Sequence, residues 1–184
     1  MKFGINLYGV LKDRKDTLAA LKELHEMGYK RIEPCVAPEA IPELDHVFWP
    51  ASWLEAHLAE IRQTGLEIVS VHLIGWNPST GRERLKRFAA DSGIRQFVVK
   101  SPQELTELSL HQASMEYMLL ADALHDVGAE VLIHNEQADI ETRFAGKTAY
   151  ETLLELCLGK VGAQVDVGWA LSTAANAIAA TMTM

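Results

Sequence analysis

Two short polar clusters close apolar runs in the second half of the chain. Glu130-Val131-Leu132-Ile133 ends in His134-Asn135-Glu136, and Gln164-Val165 ends in Asp166-Val167-Gly168-Trp169. Residues two apart on a strand face the same side, so His134 and Glu136 share a face. With Asp166 on the next strand they offer one imidazole and two carboxylates. That mixed nitrogen and oxygen set suits Mn²⁺, Co²⁺, Zn²⁺ or Mg²⁺ rather than a soft thiolate site. Such a cation would polarise a carbonyl and stabilise the negative charge that develops when a carbon-bound proton leaves. A carboxylate beside it could be the base, and Glu136 is the candidate. Asn6, Glu33, His72 and Lys100 also close apolar runs. Six polar strand ends in register suggest one shared pocket, although each residue alone also reads as a loop cap or a neighbour's partner.

Positioning these tips requires repeated strands. Five times a helix-like segment passes through glycine into an apolar run, at Gly28, Gly65, Gly93, Gly128 and Gly162, with spacings of 37, 28, 35 and 34 residues. Glycine suits the left-handed position just past a helix, and a period near thirty residues with one helix and one strand marks βα repetition. Asp16 is the expected N-cap of a first helix faced by Leu18, Leu21, Leu24 and Met27. Leu54, Leu58 and Ile61 mark a second helix; Leu85, Phe88 and Ala89 a short third; Met115, Met118, Leu119, Ala121 and Leu124 a fourth; Leu153, Leu154 and Leu156 a fifth. These stripes read as core. The strand runs are nearly continuous in apolar residues, as in parallel strands buried on both faces. Six of them fit either an open doubly wound sheet or part of a (β/α)8 barrel. Residues 36–51 and 74–80 read as long connections at the C-terminal face, where such folds keep their sites. Leu171 to Met184 is a tail of Ala, Thr and Met that could form a helix.

Composition narrows the function. The chain has 184 residues, 48% hydrophobic, with a net charge of -8, which fits a single domain over residues 1–184. The acidic balance argues against a nucleic-acid partner, because phosphate binding relies on clustered Lys and Arg. The one basic cluster, Arg82-Glu83-Arg84-Leu85-Lys86-Arg87, carries an acid and reads as a solvated helix face. No run reaches the length of a membrane span, and the N-terminus lacks a signal-peptide core. Cys35 and Cys157 are isolated, as expected of reduced thiols in a cytoplasmic protein, with Cys35 close enough to a strand end to touch the site.

At these residues the chain resembles the sugar phosphate isomerase/epimerase superfamily, the xylose isomerase-like TIM-barrel group. The resemblance runs from Phe3 to about Trp169. It rests on Lys2-Phe-Gly-Ile-Asn-Leu7, Gly65-Leu-Glu-Ile-Val-Ser-Val-His72, Ile133-His-Asn-Glu136, Gly146-Lys-Thr-Ala-Tyr-Glu-Thr-Leu-Leu-Glu155 and Gln164-Val-Asp-Val-Gly-Trp169. It implies a (β/α)8 TIM-barrel type fold, incomplete, with about six parallel βα units. It also implies metal-assisted proton abstraction at a sugar or sugar phosphate. Asp166 matches a metal ligand, and His134 and Glu136 compete for a second position. Glu33 and His72 match pocket-lining positions. Trp169 stands where many relatives have a histidine and would stack on a sugar face. Relatives complete the metal site with a histidine on strand seven and a glutamate on strand eight, and neither has a counterpart among these residues. The resemblance therefore implies a truncated or frameshifted product, or a shortened homo-oligomer, with exposed strand edges and a metal site that has lost half its ligands. An inactive barrel is the alternative. An endonuclease IV-like nuclease fits the fold but not the charge.

Overall fold

The computed structural model describes residues 4–76 and 78–173, without the side chains of residues 78–80. Strand β1 (Ile5–Asn6) leads through the short helix α1 (Tyr8–Leu11) to α2 (Thr17–Glu26). Asp16 caps α2 as expected, its Oδ1 accepting from Ala19 N at 3.0 Å. Then follow β2 (Arg31–Glu33), β3 (Cys35–Ala37), β4 (Phe48–Pro50), α3 (Ala51–Gln63), β5 (Glu67–Ile68), β6 (Val71–Leu73), α4 (Pro78–Ser92), β7 (Gln96–Lys100) and α5 (Glu107–His125). The chain continues with β8 (Glu130–His134), α6 (Gln137–Glu141), a small hairpin of β9 (Arg143–Phe144) and β10 (Lys147–Thr148), α7 (Ala149–Leu156) and β11 (Gly162–Gln164). A last helical segment starts at residue 167.

Pro34 explains a gap in the second strand. Proline has no N–H to give to a ladder, so β2 and β3 separate there. The Pro34 carbonyl still accepts from His72 N at 2.9 Å, and Val69 N reaches Ile32 O at 3.1 Å. β2–β3 and β5–β6 are therefore two long strands, each interrupted once. Six parallel strands then run in chain order: β1, β2–β3, β5–β6, β7, β8, β11, with β4 pairing beside β3. A doubly wound sheet would reverse direction at a switch point; this sheet advances one neighbour at a time, as a barrel does.

The sheet is also curled. Strands lie about 4.8 Å apart, so in a flat sheet the second and sixth strands would be roughly 19 Å apart. Yet Gln164 Nε2 on the sixth donates to Glu33 Oε2 on the second at 2.6 Å. Among the described residues the barrel is not closed: β1 and β11 lie at the two ends of the strand order.

Alternate residues of each strand turn outward to the helices. Ile32, Val36, Val71, Phe97, Val99, Val131 and Ile133 join Leu21, Leu54, Leu85, Leu120, Leu124 and Leu153 in one core. Each fully buried large apolar side chain contributes roughly 1.5–3 kcal/mol. Three helices start at reciprocal caps, Thr106 with Ser109 for α5, Glu136 with Asp139 for α6 and Thr148 with Glu151 for α7.

Several expectations need correction. Met115 and Leu119 are more than half exposed; the buried stripe of α5 is Leu110, Ala113, Tyr117, Leu120, Ala121 and Leu124. That helix is apolar on two sides, so periodicity places Ala121, Leu124 and Met118 correctly against the core but adds Met115 and Leu119 from the exposed side. Met27 is likewise exposed, at the end of α2. The third helix is not short: α4 spans 15 residues. Residues 36–51 hold β3 and β4 as well as loop. Gly28, Gly65, Gly93 and Gly128 take positive φ as expected, but Gly162 does not; before β11 that role passes to Leu158 and Gly159. Gly162 is small for another reason, since a Cβ there would lie 2.7 Å from Leu132 Cδ2. Most of the tail from Leu171 lies outside the described residues.

Candidate functional site

Glu33 is the hub of a polar layer inside the curl. Its side chain is only 12% exposed. Oε1 accepts from Asn6 Nδ2 at 2.7 Å, and Oε2 accepts from Gln164 Nε2 and from Ser70 Oγ. His72 Nδ1 lies 3.8 Å from Oε1. Burial alone would raise the carboxyl pKa. His72 and the Ser70, Asn6 and Gln164 donors outweigh it and hold Glu33 at about 2. A barrel interior is normally filled by branched apolar side chains; here an ionised carboxylate ties four strands together. His72 is 5% exposed, sits mid-strand rather than at a tip, and leaves Nε2 without a hydrogen-bond partner among the described residues.

The tips of β8 and β11 form the second part of the site. His134 Nδ1 and Gln164 Oε1 are 3.1 Å apart, and these residues are register partners. On its other side, His134 Nε2 lies 3.8 Å from Asp166 Oδ2. The His72 and His134 rings meet edge to face at 4.9 Å. Burial, with His72 alongside, pushes His134 below the usual imidazole range, against the pull of Gln164, Glu136 and Asp166. Asn135 clamps the tips from beneath. It is fully buried, its Oδ1 accepts from Asp166 N at 2.8 Å, and its Nδ2 donates to Asp166 O at 3.3 Å. Two tyrosines from the helix layer anchor neighbouring strand ends: Tyr150 OH donates to Ile133 O at 2.8 Å, and Tyr117 OH donates to Lys100 O.

Glu136 points elsewhere. It pairs with Lys100 from β7 and stands at the N-terminus of α6, where its N–H donates to Asp139 Oδ2 at 2.8 Å. Trp169 is 39% exposed one turn past Asp166, and its N–H donates to Asp166 Oδ1 at 3.0 Å. Cys35 is buried in register with His72, and burial, with nearby Glu33, pushes its thiol to about 12, so it stays protonated. Sequence reasoning passed over Ser70, Asn135 and Gln164. Period two could have found Ser70 and Gln164, which precede His72 and Asp166 by two and share their faces.

The donor chemistry bears on a metal. His134 Nε2 and Asp166 Oδ2 are a borderline nitrogen and a hard oxygen across 3.8 Å, a gap that two metal–ligand bonds of about 2.1 Å can span. Among the described residues no three His, Cys, Asp or Glu side chains converge as a cage. His134 and Asp166 thus present two candidate donors, and Glu136 beside them is paired with Lys100.

No family model and no curated protein matches the sequence. Solved structures match the fold. A sugar phosphate isomerase/epimerase from Parabacteroides distasonis is 18% identical, with a TM-score of 0.71 over 94% of this chain and 70% of that one. A xylose isomerase-like TIM barrel protein from Mycobacterium smegmatis, in complex with magnesium, is 14% identical, with a TM-score of 0.56 over 90% of this chain and 63% of that one. A D-psicose 3-epimerase solved in the presence of D-fructose is 16% identical, with a TM-score of 0.57 over 90% and 62%. The chain thus spans six to seven tenths of their lengths. No helix among the described residues is long and apolar enough to cross a membrane. The chain has the fold of the xylose isomerase-like TIM barrels across six parallel strands, without barrel closure.

Proposed function

We propose that this chain carries the site of a sugar or sugar phosphate isomerase/epimerase that removes a carbon-bound proton with the help of a divalent cation. The observation that carries this reading is the meeting of His134 Nε2 and Asp166 Oδ2 at 3.8 Å over the polar layer of Glu33 and His72. His134 and Asp166 would hold the ion, whether Mn²⁺, Co²⁺, Zn²⁺ or Mg²⁺. Once bound, it would polarise a sugar carbonyl or hydroxyl and stabilise the charge left by deprotonation. Glu136 would serve as the base once released from Lys100, which pairs with its carboxylate. Glu33 and His72 line the floor, and the exposed Trp169 offers an apolar face to a sugar ring. The substrate is a small molecule in this reading. Net charge of -8 disfavours a nuclease, and the lysine at this mouth is already paired with Glu136.

The test is solvent exchange. Ketoses and aldoses incubated with the protein and Mn²⁺ in D₂O should gain deuterium at the carbon next to the carbonyl, and Asp166→Asn should abolish the gain. A second reading, a non-catalytic barrel that binds its ligand without turnover, is favoured by the engagement of Glu136 with Lys100. Ligand binding without deuterium uptake across the sugar panel would select it.

A further inference from the structure

We infer that Glu33 acts as a remote positioning residue, setting through Gln164 which nitrogen of His134 carries the proton. Donors and acceptors alone determine the tautomer. An ionised carboxylate can only accept, and an amide oxygen can only accept. Asn6 and Ser70 donate to Glu33 and His72 Nδ1 faces its Oε1, so Oε2 meets Gln164 only as an acceptor. Gln164 must turn its NH₂ to Glu33 Oε2, at 2.6 Å. Its oxygen is then committed to His134 Nδ1, at 3.1 Å. Nδ1 therefore bears the hydrogen, and Nε2 keeps its lone pair. The reverse amide orientation would set oxygen against carboxylate. Nε2 lies 3.8 Å from Asp166 Oδ2, beyond hydrogen-bond range, so nothing on that side demands a proton. Gln164 is thus a reader of the carboxylate on the second strand and a setter of the imidazole on the fifth.

The identity of whatever Nε2 binds rests on the function proposed above; the tautomer itself does not. A metal-bound or basic histidine is oriented by the partner of its other nitrogen. Here that partner is an amide whose orientation is dictated across the curl of the sheet.

The test starts with the unaltered, metal-free protein labelled with ¹⁵N-histidine. A long-range ¹H–¹⁵N correlation should show His134, assigned by its loss in His134→Asn, with Nδ1 pyrrole-like and Nε2 pyridine-like. In Glu33→Gln the amide of Gln164 is free to turn, and the signals should move toward the opposite tautomer or a mixture. Gln164→Leu should give a mixture. Mn²⁺ affinity, measured by calorimetry with the ion alone, should fall by roughly 10–100-fold in both variants. A wild-type Nε2–H tautomer overturns the inference without any variant. So does an unchanged Nδ1–H tautomer in both folded variants, whereas an unchanged Mn²⁺ affinity beside a changed tautomer overturns only the metal reading. A tautomer that responds as expected in a protein that binds no Mn²⁺ supports the inference and removes the metal reading.

Discussion

The Glu33 end and the Asp166 end of the polar cluster are built differently. At the Glu33 end the carboxylate is nearly enclosed, and its oxygens accept from three side-chain donors on three other strands. At the Asp166 end the side chain is about a third exposed, one oxygen caps a helical turn, and the other faces His134 Nε2 across 3.8 Å. A saturated carboxylate is expensive to disturb and has nothing left to offer a ligand. A carboxylate with a spare oxygen opposite a nitrogen costs little to change and can take a ligand. The first end holds the curl of an unclosed sheet; the second is where chemistry has room.

The largest loss is expected at Glu33. Removing this carboxylate leaves Asn6, Ser70 and Gln164 as donors without an acceptor, and orphaned buried partners cost about 1–3 kcal/mol each. Glu33→Ala should therefore lower unfolding free energy by roughly 3 kcal/mol or more, read from urea denaturation. A loss below 1 kcal/mol would show that the hub does not hold the curl. Acid tests the same end. The folded pKa of Glu33 is depressed from 4.5 to about 2. Its contribution is present in full above the unfolded value and fades as pH falls through this window. Two to three units correspond to roughly 3 kcal/mol. Wild type should lose that much between pH 5 and pH 2 relative to Glu33→Gln, and parallel curves for the two proteins would refute it.

Local features were legible in the sequence; closures across the sheet were not. Asp16 caps a helix because its neighbours along the chain supply the N–H, and four of five glycines take positive φ because helices end there. His134 and Asp166 come together because adjacent parallel strands share a register. The hydrogen bond between Glu33 and Gln164 joins residues 131 positions apart. Nothing local announces it, since it exists only once four intervening strand steps have curled. Gly162 is misread for the converse reason: its small size answers to Leu132 beside it, not to the end of a helix. Asn135 passes unnoticed between two more reactive residues, although it fixes Asp166 through both backbone groups.

At the Asp166 end the expected effect is gain rather than loss. Mn²⁺ or Co²⁺ at 100 times its dissociation constant stabilises a folded protein by about 2.7 kcal/mol. For a chain of this size that is a Tm increase of roughly 5–10 °C. Asp166→Asn should abolish the increase while lowering the metal-free Tm only slightly, because an asparagine oxygen still caps the helical turn. An equal metal response in this variant would move the binding site elsewhere. Equal metal-free losses in Asp166→Asn and Glu33→Ala would erase the distinction between the two ends.

The smallest effect is expected where an ion pair looks most prominent. Lys100 and Glu136 meet at the mouth with side chains 45% and 35% exposed. Water screens such a pair, and ordering two long side chains offsets much of the attraction, so it is worth about 0–1 kcal/mol. Lys100→Met keeps the stem that packs and removes only the charge. The strand end stays anchored, because Tyr117 OH donates to the backbone carbonyl of residue 100 and not to its side chain. The denaturation midpoint should therefore shift by less than the equivalent of about 1 kcal/mol. A loss near 3 kcal/mol would place this pair with Glu33 in the structural end, and Glu136 would then be unsuited to a role as base.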